Sequence, residues 1–271
     1  MKTQVGKMVV IGAMTLLAVA GAKAQSFNVF IGAPDDQSNP HSIASVETFN
    51  SWTPGLQNGL VSSPGLTAFS GTYNFTGNTG DITVADQYGG AGGTGNYVAM
   101  GNYWTGNDNP YSLTLGVDAN YFGFWWSAGD ANNNIQFYND GVLLATFTSD
   151  NVFNALSGGG TILSVDNTPY NKSDYFGNPN PPFAGQNPSE PYAFVSIYAT
   201  GLTFDEIRFD NGSFTSTGFE SDNHTLFSGS LTPVGSQVFV TNLPVPEPGV
   251  TVLFGVASMG LLFFRRRRAI R

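Results

Sequence analysis

Between Gln25 and Leu243 the apolar residues fall in short runs cut by Gly, Asn, Asp and Pro. The runs are rich in aromatic and β-branched residues, which suit a pleated, half-buried strand. Strands are expected over 26–31, 45–49, 68–75, 97–103, 111–115 and 120–127. Within the last of these, Tyr121-Phe122-Gly123-Phe124-Trp125-Trp126 is unbroken by polar residues. Such a run belongs at the centre of a sheet or is buried on both faces. Asn139-Asp140-Gly141, between the runs 135–138 and 142–147, has the chemistry of a tight hairpin turn. The runs 192–198 and 203–209 read as a second hairpin-like pair, and 226–231 and 237–241 as closing strands. One short helix is expected over 151–156, with Ser149 or Asp150 as its N-cap. Many short strands joined by turns predict an all-β fold, a single antiparallel β-sandwich of jelly-roll-like kind over residues 25–243. The stretch 167–191 carries six prolines and reads as a long surface insertion. No period of 20–50 residues repeats, which excludes a propeller or solenoid.

The two ends follow a different pattern. Lys2 and Lys7 precede an apolar run from Met8 to Ala20, and Ala22-Lys23-Ala24 supplies a small-x-small cleavage site. Residues 1–24 therefore read as a secretory signal peptide, set apart from the fold. At the other end Pro244-Val245-Pro246-Glu247-Pro248 forms a rigid spacer, because proline fixes φ and lacks a backbone donor. The 16 residues from Gly249 to Phe264 carry no charge, and Arg265, Arg266, Arg267 and Arg268 follow directly. This run is expected to be a short transmembrane helix whose arginines snorkel and stay on the cytoplasmic side.

Pro246-Glu247-Pro248, the apolar run and the arginine tail, in that order, resemble the PEP-CTERM sorting signal of bacterial surface proteins. The resemblance covers 244–271, about a tenth of the chain. It implies export, an inner-membrane intermediate, and transfer to the membrane protease-transpeptidase exosortase, with processing near Pro246–Pro248 and loss of the tail. It further implies delivery to the cell surface or extracellular matrix, in bacteria that make extracellular polysaccharide, with no catalytic role.

Setting both ends aside changes the charge. The whole chain has 10 basic and 19 acidic residues, a net of −9. Between Gln25 and Leu243 only Lys172 and Arg208 are basic and 18 residues are acidic, so this part carries 2 − 18 = −16. Nucleic acid is excluded as a partner, since phosphate binding needs clustered cations. Cysteine is absent, so no disulfide or thiol chemistry contributes.

Candidate chemistry is sparse. His41 and His224 have no metal-type spacing, and no Gly-x-Ser-x-Gly elbow occurs. Asp205 and Glu206 would point to opposite faces of a strand, and Arg208 lies on the face of Glu206, placed to pair with it. No enzyme is expected. A structural calcium is the one candidate cofactor. Glu220, Asp222 and Asn223 form a short polar run with suitable oxygens, and Asp35-Asp36, Asp130 with Asn132–Asn134, and Asp210-Asn211 are alternatives. Of the four tryptophans, Trp104 beside Gly106-Asn107-Asp108 reads as the exposed platform for stacking on a sugar. Trp125 and Trp126 are adjacent on a strand, so at least one belongs to the core. The expected function is structural or adhesive, linked to extracellular polysaccharide. A calcium-stabilised carbohydrate-binding module and a glycan hydrolase are the alternatives.

Overall fold

A computed structural model describes residues 25–39, 44–107, 109–130, 132–212, 218–230, 235 and 237–243. The signal-peptide segment, the sorting motif Pro246, Glu247 and Pro248, the apolar run 249–264, the tail Arg265 to Arg268, and His41 lie outside the described residues.

The strands in chain order begin with β1 (Gln25–Ile31), β2 (Ser45–Glu47), β3 (Gly55–Gln57), β4 (Leu60–Ser62), β5 (Thr72–Asn74), β6 (Gly80–Val84) and β7 (Asn96–Met100). The short helix α1 (Asn102–Thr105) separates these from β8 (Tyr111–Ala119), β9 (Tyr121–Ser127), β10 (Asn134–Asn139) and β11 (Val142–Thr148). After α2 (Ser149–Leu156) come β12 (Thr161–Leu163), β13 (Pro169–Asn171), β14 (Ala193–Thr200), β15 (Phe204–Asp210), β16 (Phe219–Phe227) and β17 (Phe239–Leu243).

Two antiparallel sheets carry the fold, as the run pattern predicts. One has the order β17-β1-β14-β9-β16-β7-β6-β3, with β2 also pairing to β16; the other runs β11-β10-β15-β8-β5-β4. Their facing sides share one core. Phe27, Val29, Phe122, Phe124, Trp126, Val195 and Ile197 from the first sheet meet Tyr73, Leu113, Phe137, Ile207 and Phe209 from the second. At about 25 cal/mol per Å² of apolar area removed from water, this aromatic layer is the main stabilising element of a chain without disulfides.

The alternation along β9 has a consequence for its outer side. Trp126 faces the inner core, whereas Trp125 packs on the other face with Ala128, Tyr192 and Phe194. Every residue of β9 is buried, as its unbroken apolar run predicts. The proline-rich stretch expected to be a surface insertion is tied to the loop before β7, where Asn178 and Asn187 both donate to the Gln87 carbonyl, and it reaches the inner core through Tyr175. Tyr175 within it is buried and donates from its hydroxyl to the Gly32 carbonyl at 2.8 Å. Asn178 and Asn180 are buried beside it. Proline supplies rigid turns there at little entropy cost.

The hairpin turn is confirmed. Asp140 and Gly141 both have positive φ, 49° and 73°, the geometry that a two-residue turn between β10 and β11 requires. Three local expectations are corrected. The runs 192–198 and 203–209 form β14 and β15 but do not pair. Each lies in a different sheet, because both bury their apolar sides in the same core. The strand expected over 97–103 stops at Met100, where Gly101 adopts φ 104°, and α1 follows. The helix α2 starts at Ser149, with Thr148 as its cap residue. There the Asn151 side chain donates back to the Thr148 Oγ1 and carbonyl, each at 3.0 Å.

Candidate functional site

Glu220, Asp222 and Asn223 were expected in a loop, but all three lie on β16, which pairs with β9 and β7. Strand alternation puts Glu220 and Asp222 on the outer face of the large sheet, opposite Ser127 and Trp125. Asn223 takes φ 51°, and the register shifts between Asp222 and Thr225. This is a bulge at a residue type that tolerates the left-handed region.

The structure gives the three residues separate work. Asp222 is 3% exposed and accepts from the Ala91 amide at 2.8 Å and the Asn223 amide at 2.6 Å, which ties the 85–95 loop to the sheet. Burial pushes its carboxyl up to about 7 against the pull of those two amides. The Asn223 side chain donates to the Gln37 carbonyl at 2.7 Å. Glu220 is 5% exposed and accepts from Trp104 Nε1 at 2.5 Å. The three are therefore not gathered into one ligand set. Among the described residues no group of three or more His, Asp or Glu is placed to hold a metal ion.

Trp104 is brought to Glu220 instead of standing free as a platform. It is half-buried on α1, where its ring meets Tyr88, Tyr97 and Tyr103 edge-on at 5.9, 6.1 and 4.9 Å between centroids. The aromatic surface offered to solvent belongs to Tyr103, 69% exposed. Gly218 makes the Trp104–Glu220 contact sterically feasible, since a Cβ there would run into both partners.

These residues bound an open cavity of about 250 Å³. Tyr88, Tyr103 and Trp104 form its aromatic wall; Asp130, Glu190 and Glu220 bring three carboxyls; Ala128 and Gly218 complete it. Each part is fixed by a different element. Asp86 holds the turn that carries Tyr88, accepting from the Tyr88 amide at 2.8 Å and the Tyr97 hydroxyl at 3.0 Å. Glu190 ends the proline-rich stretch, where its carbonyl accepts from the Gly177 amide at 3.0 Å and the next residue's carbonyl accepts from Gly129 at 2.9 Å. The buried Asn133 donates to the Gly218 carbonyl at 2.8 Å and accepts from Trp126 Nε1 at 3.1 Å, locking the cavity rim to the core.

Among the described residues no cationic side chain lines the cavity. All three carboxyls are held above their usual range, first by burial. Glu190 is pushed up to about 7 by burial and by Asp130. Glu220 rises well above the ordinary glutamate value through burial, and Asp130 and Glu190 add to this while the Trp104 hydrogen bond opposes it. Clustered acids with perturbed protonation inside a cleft make this the candidate ligand site. Sequence reasoning named Trp104, Glu220 and Asp130 separately but missed Tyr103 and Glu190. Tyr103 was legible only as the neighbour of Trp104, and Glu190 only as a lone glutamate among prolines.

The remaining candidates are structural. His224 is fully buried, with Nδ1 at 2.8 Å from the Tyr73 hydroxyl and Nε2 at 2.9 Å from Ser221 Oγ, and its ring stacks on Phe209. Burial lowers it to about 3, so it stays neutral. Arg208 pairs with Glu206 through two hydrogen bonds of 2.8 and 3.1 Å, as the strand alternation predicts. Asp36 caps the Ser38 amide and Asp210 the Gly212 amide, each acting in a turn.

Residues 244–268 match the family model described as PEP-CTERM protein-sorting motif. The match identifies a PEP-CTERM signal of the exosortase-dependent kind, which implies export, processing by exosortase and membrane-associated sorting to the cell surface. No curated protein matches the chain. Among solved structures, the crystal structure of the K2 cleaved adhesin domain of Lys-gingipain is similar at 15% identity and a TM-score of 0.40, over 70% of this chain and 100% of that one. A likeness at that score carries no argument here.

Proposed function

We propose that this chain is a non-enzymatic surface protein that adheres to extracellular polysaccharide through the cavity beside Trp104. The observation that carries the reading is the open aromatic wall of Tyr88, Tyr103 and Trp104, with Tyr103 largely exposed at its edge. Aromatic faces pack on the apolar faces of sugar rings, and hydrogen-bonding groups beside them fix orientation. The sorting signal, which implies delivery to the cell surface, supports this reading. Adhesion is preferred to hydrolysis because Glu220, though it lines the cavity, is 5% exposed and has one carboxyl oxygen engaged by Trp104 Nε1. That arrangement leaves it poorly placed to flank a scissile bond, which two carboxyls must do from opposite sides. Calcium has no part in this reading.

The test is retention of the full-length chain on a panel of insoluble polysaccharides. The parent is retained on at least one polymer, and Tyr103→Ala is released from it while keeping its melting temperature. Absence of retention on every polymer, or full retention of Tyr103→Ala, contradicts the proposal. Release of soluble sugars from any polymer, abolished by Glu190→Gln, assigns hydrolysis instead.

A further inference from the structure

The composition of the cavity narrows the ligand, given that it is a polysaccharide site. Three carboxyls line it, and among the described residues no positive side chain does. Burial first, and neighbouring carboxyls second, disfavour their ionised forms, and a positive guest offsets both. Two further groups sit without partners. Glu190 Oε2 is shielded from solvent and makes no hydrogen bond. Ser127 is fully buried, and its Oγ is likewise unpartnered. Ser127 pairs with Glu220 across β9 and β16 on the same face of the sheet, but it lies beneath the cavity lining and not in it. Buried polar groups normally find partners, and the unpartnered oxygen of Glu190, a residue that lines the cavity, fits a guest that brings a hydrogen-bond donor.

The wall opposite the acids decides what kind of cation fits. Tyr88, Tyr103 and Trp104 meet edge-on in every pair, at 6.3, 5.9 and 4.9 Å between centroids, which makes a concave aromatic corner. Aromatic faces attract organic ammonium groups and pack on C–H surfaces. They offer no oxygen to a metal ion, and calcium needs six to eight such ligands. At about 250 Å³ the cavity lies just under the usual range for ligand pockets, about 300–1,000 Å³, so it holds one ring-sized group.

We infer that this cavity takes a protonated amino group carried on a sugar ring, so that the favoured polysaccharide is one whose amino sugars are free of acetyl groups. The ammonium sits between Asp130, Glu190 and Glu220, and the ring's C–H face lies against Tyr103 and Trp104. Acetylation removes the charge that the three carboxyls would pair with.

The experiment compares retention of the full-length chain on β-linked glucosamine polymer in fully acetylated and in deacetylated form. Salt of about 0.5 M shortens the Debye length to ~4 Å and suppresses attraction between the acidic surface and a cationic polymer. At least tenfold stronger retention on the deacetylated polymer is expected. Glu190→Gln and Tyr103→Ala each reduce it about tenfold. Asp35→Asn, which removes one exposed charge outside the cavity, leaves it unchanged. Free glucosamine displaces the protein, and free lysine does so far less. Equal retention on the two polymers overturns the inference, as does equal loss in Asp35→Asn or displacement by lysine as readily as by glucosamine. No retention on the deacetylated polymer overturns it too, while the broader panel decides the polysaccharide reading separately. Retention on the acetylated polymer that Tyr103→Ala abolishes upholds that reading and sinks this one.

Discussion

Asp222→Asn separates a structural carboxylate from a ligand. In the folded chain the Asp222 carboxyl is buried and raised from 3.8 to about 7, with burial as the main cause. Below pH 3.8 the carboxyl is protonated whether the chain is folded or not. As pH rises from there towards 7 the unfolded chain releases the proton and the folded chain keeps it. Stability therefore falls across that window, by about 1.36 kcal/mol for each pH unit, or ~4 kcal/mol in all, and is level again above it. The substituted amide cannot ionise and escapes this loss. It does mismatch one of the two amides from Ala91 and Asn223, which costs about 1–3 kcal/mol at every pH. The two effects oppose each other. The variant is expected to be less stable than the parent at pH 4 and equal or more stable at pH 8. Urea unfolding of both proteins at the two pH values measures this. Other titrating groups, including His224 with its opposite slope, cancel in the difference. A stability difference that stays constant from pH 4 to pH 8 would refute the reasoning, because it would mean that burial does not govern this carboxyl.

The other expectations concern the tail and the aromatic wall. Mass spectrometry of the mature protein should find a C-terminus near Pro246–Pro248; an intact Arg271 would replace sorting with a plain membrane anchor. Trp104→Ala should cost about 3–5 kcal/mol, since it strips three edge-on ring contacts and leaves the buried Glu220 without its indole donor. Tyr103→Ala should cost under about 1 kcal/mol because the ring is 69% exposed. Thermal melts of the two variants side by side check that contrast, and equal losses would contradict the assignment of wall and rim.

The strands were legible because burial leaves a periodic trace. The two-sided burial of β9 followed from one unbroken apolar run, and the β10–β11 turn from Asp140-Gly141. Which strands pair was not legible, as β14 and β15 show. Two apolar runs joined by a short turn look alike whether they pair or face each other across a core. The cavity was harder still. Its parts lie at Tyr88, Tyr103, Asp130, Glu190 and Glu220, separated by tens of residues and joined only through sheet order. Trp104 was singled out as an exposed ring, yet its indole N–H is used up on Glu220, a pairing across 116 positions that no local pattern announces. The acids on β16 looked like loop ligands because a buried strand so rarely carries two carboxyls. The sorting tail was the easiest to read, since its three parts are contiguous and ordered.

A calorimetric titration of the full-length chain with a soluble oligosaccharide of the polymer that retains it tests adhesion at the aromatic cavity most directly. One site per chain is predicted for the parent, with at least tenfold weaker binding for Tyr103→Ala at an unchanged melting temperature. Equal affinity in the two proteins would contradict the account.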